Sequence, residues 1–149
     1  LEESTLKKLD ALLPDRWSRA NPVDLVGSNL AHSNDITKAL WILLGDKNLD
    51  AVISNAWIGR NDRRMNPRSD DNKSVDADEE AEKVRNFYQQ IKEYGLPFFM
   101  VGSPPQSPDD LQAYTLFHRE GFAVYPQPYR AARALHHLYW YRHYLETRE

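Results

Sequence analysis

A chain of 149 residues whose charges balance to a net of −3 is one domain of ordinary size, long enough to bury a real core. That balance gives no electrostatic basis for binding nucleic acid or an anionic membrane, and no apolar run is long enough to span a bilayer. The absence of cysteine removes thiolate catalysis, thiolate-bound zinc and disulfides, and fits a cytoplasmic location.

Leu6, Leu9 and Leu13 follow helical spacing, so residues 3–13 read as a leading helix ended by Pro14. Residues 14–22 form a linker with a proline at each end. Val23 and Leu25 then alternate with Asp24 as a short strand would, and Gly27 permits a sharp turn. Ser28, Asn29, Ser33 and Asn34 can cap the helix that Ile36, Leu40, Leu43 and Leu44 describe. Residues 50–55 read as a buried strand. A helix follows from Ala77 to Tyr94, with Ala81, Val84, Tyr88 and Ile91 on one face and Gly95 at its end. Residues 97–101 form a third strand. Asp109 to Glu120 is a helix buried through Ala113, Leu116 and Phe117, and Phe122 to Tyr125 is the last strand. Pro128 opens a long terminal helix, on which Ala134, Leu138, Tyr141 and Leu145 are expected to face the sheet. His136, Tyr139, Trp140 and His143 fall on its other side and suggest a contact with a neighbouring domain or a second copy. Four apolar strands, each followed by a helix, predict an α/β domain: a flavodoxin-like, doubly wound parallel sheet of about four strands with helices on both faces.

In such sheets ligands approach the carboxyl ends of the strands, which nominates three edges. These are Gly27-Ser28-Asn29, residues 55–59, and Gly102-Ser103. Each offers small residues and backbone N–H groups that can meet an oxyanion, and the first also starts a helix. The plain alternative is that glycine and serine simply end strands. Residues 57–76 carry Arg60, Arg63, Arg64 and Arg68 among aspartates and asparagines, over a length unusual for a connection. They read either as a lid whose arginines touch phosphates or as an insertion whose charges nearly cancel. His32 lies near a helix start, His118 within a helix, and His136, His137 and His143 on the terminal helix. The seven-residue spacing of His136 and His143 is wrong for a helical metal pair, so no metal ligands are assigned. No Walker loop, Gly-x-Gly-x-x-Gly or nucleophile elbow is present, and no catalytic residue is assigned.

The wording of several segments goes further than their geometry. Glu3-Ser4-Thr5, Leu9 and Leu13-Pro14 precede Asn21-Pro22-Val23-Asp24-Leu25-x-Gly27. Ala39-Leu40 through Leu43-Leu44 leads to Asp46-x-Asn48-x-Asp50-Ala51-Val52-Ile53, and Leu116 to Gly121-Phe122-Ala123-Val124-Tyr125-x-x-Pro128. In that order these segments resemble the NDP-forming acyl-CoA synthetases, with departures at residues 57–76 and at Ala123, where that family has proline. The resemblance implies that residues 1–20 are a leading helix and linker from a preceding domain, and 21–149 a flavodoxin-like ligase-CoA domain. The opening Leu1, in place of methionine, fits a piece of a longer polypeptide. The intact parent would be an acid–thiol ligase coupling acyl-CoA formation or cleavage to ATP/ADP through a phosphohistidine outside this piece. Asn21, Asp24, Gly27, Ser28 and Asn29 would support that phosphohistidine, and Gly102, Ser103, Arg60 and Arg63 are secondary anion-binding candidates. CoA, ATP/ADP and Mg would belong to the parent, with no cofactor held by this domain alone. Its partners would be the CoA-binding and ATP-grasp domains, with a homodimer as a further expectation. The alternative implied by the same resemblance is a non-catalytic regulatory domain, for example of a protein acetyltransferase. A plain interaction domain is a third reading.

Overall fold

A computed structural model describes residues 1–25, 33–55, 77–102, 104–106 and 108–148. In chain order the elements are α1 (Glu3–Asp10), α2 (Ser33–Leu44), β1 (Val52–Ser54), α3 (Ala77–Glu93), β2 (Phe98–Val101), α4 (Pro108–Arg119), β3 (Ala123–Tyr125) and α5 (Pro128–Glu146). The three strands form a parallel sheet in the order β1-β2-β3. The predicted α/β class therefore holds, and eight of the nine expected elements are present, close to where they were expected. The expected strand at Val23 is the exception. Val23, Asp24 and Leu25 have no strand pairing, and the sheet among the described residues has three strands. Val23 and Leu25 are instead half-buried against a helical core, so their alternation serves packing on one side without a ladder.

The described residues divide into two compact units. The first lies within Leu1–Val52 and Ile58–Leu96, the second within Ile53–Trp57 and Pro97–Glu149. In the first, α1 packs on α2 around Leu9, Leu13, Trp17 and Ala39, all buried, with Leu6, Leu12, Ile42 and Leu43 against them. The Leu6, Leu9 spacing puts one face of α1 into this core, and Leu13 just past its end continues that face. Glu3 in its first turn and Lys7 and Lys8 in its last complement the helix dipole. Beyond it the chain turns at Pro14, whose carbonyl accepts from the Trp17 N–H at 2.9 Å. The Trp17 indole Nε1 donates to Asp10 Oδ1 at 2.8 Å, and the Arg19 guanidinium meets the same oxygen at 2.7 Å. On α2, Trp41 packs its ring against Phe87 at 5.3 Å and lies nearly parallel to Tyr94 at 6.0 Å. Ala81, Val84 and Ile91 are buried along α3 as expected, and Tyr88 is half-buried. Gly95 ends that run at φ 69°, a left-handed conformation that glycine adopts without the Cβ penalty.

In the second unit β2 and β3 pair in parallel with Phe99 opposite Ala123, Met100 opposite Val124 and Val101 opposite Tyr125. Strand alternation puts Phe99, Val101, Ala123 and Tyr125 on one face. Ala131, Ala134 and Leu135 of α5 pack there, with Ala131 fully buried. On α4, Ala113 and Phe117 are buried and Leu116 is half-buried; Phe117 meets Phe122 edge-on at 5.3 Å.

The expected burial of α5 needs correcting. Ala134 does face the sheet, but Leu138, Tyr141 and Leu145 are exposed at 53%, 55% and 48%. The reason is length. A 19-residue helix runs about 28 Å, whereas a three-residue strand spans about 10 Å. The helix outruns its sheet after roughly two turns. No helix among the described residues is long and apolar enough to cross a membrane.

Candidate functional site

The first expected edge begins at the Asn21–Pro22 peptide, which is cis. Val23 and Leu25 anchor this segment by packing on the Leu9, Leu13, Trp17 and Ala39 core. Alternation with Val23 and Leu25 turns Asp24 outward, and both Asp24 and Asn21, which precedes the cis peptide, are exposed. The Ser18 hydroxyl donates to the Pro22 carbonyl at 3.5 Å. Gly27, Ser28 and Asn29, the other residues expected here, lie outside the described residues, as do Arg60 and Arg63. Of the second edge, Asn55 is described and exposed, immediately after β1.

At the third edge Gly102 is buried, and Ser103 lies outside the described residues. The Gly102 N–H donates to the Tyr125 carbonyl at 3.0 Å. That donor extends the sheet hydrogen bonding beyond β2 and is engaged there. His118 is exposed with its ring 4.7 Å from that of Tyr114, and His136, His137 and His143 are exposed on α5. His32 is outside the described residues. Among the described residues no three histidines or carboxylates gather as metal ligands.

Two features of the structure have no counterpart among the expected site residues. The first is Asp46, only 2% exposed, in the turn after α2. Its Oδ2 accepts from the Glu2 N–H at 2.8 Å and its Oδ1 from the Asn48 N–H at 2.8 Å, and the Thr5 hydroxyl bonds the same carboxylate. Burial pushes this carboxyl's pKa up, but the Glu2, Asn48 and Thr5 donors outweigh it and hold the pKa below the ordinary value. Asp46 therefore caps the amino terminus of α1 from a distant loop, a role for which Glu2 at the cap position supplies no side chain. The Asp46-x-Asn48 spacing of an Asx turn was the available signal, though nothing local identifies Glu2 and Thr5 as further partners.

The second is a cleft of about 480 Å³ at the carboxyl end of β3, lined by Tyr125, Gln127, Tyr129, Arg130, Arg133 and His137 among others. Arg130, Arg133 and His137 share a face of α5 because they are spaced three and four residues apart. The Arg133 guanidinium lies 5.6 Å from the Tyr129 ring centre and donates to the Tyr129 hydroxyl at 3.2 Å. The sequence signal was that same cationic spacing just after Pro128.

Compared with known proteins, the chain matches no family model, no curated protein and no solved structure.

Proposed function

We propose that this chain is the flavodoxin-like ligase-CoA domain of an NDP-forming acyl-CoA synthetase. The observation that carries the proposal is the Asn21-Pro22-Val23-Asp24-Leu25-x-Gly27 wording, placed directly ahead of α2 and followed in order by two further matching segments. Three parallel strands on 52–54, 98–101 and 123–125, each followed by a helix in sequence, suit that reading. A flavodoxin-like sheet would add a fourth strand and helices on both faces.

In this role the domain contributes no nucleophile. Val23 and Leu25 hold the loop to the core while Asn21 and Asp24 present polar groups outward. The amino-terminal end of α2 carries the positive end of a 12-residue helix dipole. Near a phosphorylated histidine from another domain, that partial charge favours the phosphate by about 1 kcal/mol when exposed and more when desolvated. CoA, ATP or ADP and Mg²⁺ are assigned to the CoA-binding and ATP-grasp domains of the parent, which carries out phosphoryl transfer and thioester chemistry in a cytoplasmic setting.

The test uses the parent polypeptide in which this chain is encoded. Supplied with acyl-CoA, ADP, phosphate and Mg²⁺, it should form ATP and an acid-labile phosphohistidine, while residues 1–149 alone form neither. Asn21→Ala and Asp24→Ala alter exposed side chains, so the fold should persist while phosphohistidine formation slows. Turnover by residues 1–149 alone, or no phosphohistidine in the parent, would overturn the proposal.

A further inference from the structure

We propose that the cleft at the carboxyl end of β3 binds a small organic phosphate, a phosphoryl group carried on a flat ring, with Arg130 as its main anion contact. The proposal is independent of the synthetase reading. The cleft lies where parallel α/β sheets receive ligands, just past the last residue of a strand. Its described lining holds two guanidinium groups and an imidazole, and no carboxylate.

The partners of the arginines give an independent reason. Arg19 is paired with Asp10, Arg119 with Glu120 and Arg142 with Glu146. Arg130 has no side-chain hydrogen bond or ion pair among the described residues, although the chain as a whole is acidic. Arg133 is held by the Tyr129 ring and hydroxyl, which leaves further guanidinium donors for a ligand. An uncompensated pair of guanidiniums on one helix face suits a dianion better than a single carboxylate. The first turn of α5 adds to this. Gln127 makes no side-chain cap there, so the positive end of the helix dipole stands uncapped beside the cleft that Gln127 and Arg130 line.

Size and walls narrow the class. A cleft of about 480 Å³ is far roomier than inorganic phosphate and falls within the usual range for small organic ligands. Tyr125 and Tyr129 supply aromatic carbon to its lining, against which a ring can lie.

Calorimetric titration of the 149-residue chain at low salt tests this with phenyl phosphate, benzoate, inorganic phosphate and phenol. Phenyl phosphate should bind saturably and more tightly than the other three, and added salt should weaken it. Arg130→Gln should weaken phenyl phosphate about tenfold, with an unchanged circular dichroism spectrum because Arg130 is exposed. Arg142→Gln, on the same helix but away from the cleft, should leave the affinity alone. Absence of saturable binding would overturn the site. Equal losses in the two variants would reduce it to general charge attraction and overturn it as well. Benzoate or inorganic phosphate binding as tightly as phenyl phosphate would overturn the ligand class.

Discussion

The first and last helices of this chain make opposite use of similar materials. Helix α1 has eight residues and α5 has nineteen. The short one is fixed at both ends. Leu9 is fully buried, Asp46 reaches in from a loop to cap its start, and Asp10 near its end holds Trp17 and Arg19. The long one packs one face of its first two turns, through Ala131, Ala134 and Leu135, and then stands in solvent, with Tyr139 and Trp140 exposed at 70% and 60%. Its outer half is supported by its own neighbours: Trp140 stacks on Tyr144, Arg148 lies over Tyr144, and Arg142 pairs with Glu146. Apolar content does not decide which helix is anchored. What decides it is whether a surface lies opposite, and a three-residue strand offers one for only two turns.

Replacing Leu9 should produce the largest effect. Leu9→Ala removes a fully buried side chain from the α1–α2 core and should cost about 2–5 kcal/mol, read from denaturant unfolding at constant slope. A loss below 1 kcal/mol would mean that α1 is no better anchored than the end of α5.

Asp46 sharpens the comparison, since it tests the anchoring of α1 through polar groups alone. Asp46→Ala leaves the Glu2 and Asn48 N–H groups and the Thr5 hydroxyl without their acceptor and should cost about 1–3 kcal/mol. The pH dependence has a definite sign. Because the folded-state pKa is depressed, this stabilisation is present above the unfolded carboxylate value near 3.9 and is lost as pH falls through the folded value. Wild type should therefore lose stability relative to Asp46→Asn below about pH 4. Parallel acid unfolding curves for the two proteins would contradict the capping role.

How much of this was legible follows from the range of the interactions. The elements from 77 to 146 were readable because each is set by local signals: periodic apolar residues, Gly95 and Gly121 as stops, Pro128 as a start. The strand expected at Val23 was misread because two alternating apolar residues look the same whether they pack in a ladder or against helices. The burial of Leu138, Tyr141 and Leu145 was overestimated because periodicity tells which side of a helix is apolar and says nothing of how far its partner extends. Of the expected site, the exposure of Asp24 follows from its alternation with Val23 and Leu25, whereas that of Asn21, in phase with them, does not. The cap at Asp46 was hidden because Glu2 lies 44 residues away in the chain. The cleft residues span β3 to α5, and only the fold brings Tyr125 alongside Arg133 and His137.

A smaller effect is expected at the far end of α1. Trp17→Phe keeps most of the buried ring but removes the indole donor to Asp10. It should cost about 1 kcal/mol. Asp10→Ala should cost a similar amount, and the double variant should fall short of the sum, since the two side chains share one interaction. Full additivity would show that the indole–carboxylate bond contributes nothing to the fixing of this end.

The smallest effect should come from Trp140. Its ring stacks on Tyr144 of its own helix, and Trp140→Phe should change stability by no more than about 0.5 kcal/mol. Fluorescence gives the sharper reading. The chain has four tryptophans, of which Trp17 is buried and Trp140 is exposed, so the emission lost in Trp140→Phe should be red-shifted and readily quenched by acrylamide. Repeating the measurement across protein concentrations, with sedimentation to establish the mass, separates two states of the helix. A quenchable signal at every concentration describes a helix end that stays in solvent. A signal that becomes protected only as mass doubles would show that a second copy supplies the surface that β3 is too short to provide. Protection in a proven monomer would break the contrast between the two helices, because the outer half of α5 would then be packed within its own chain.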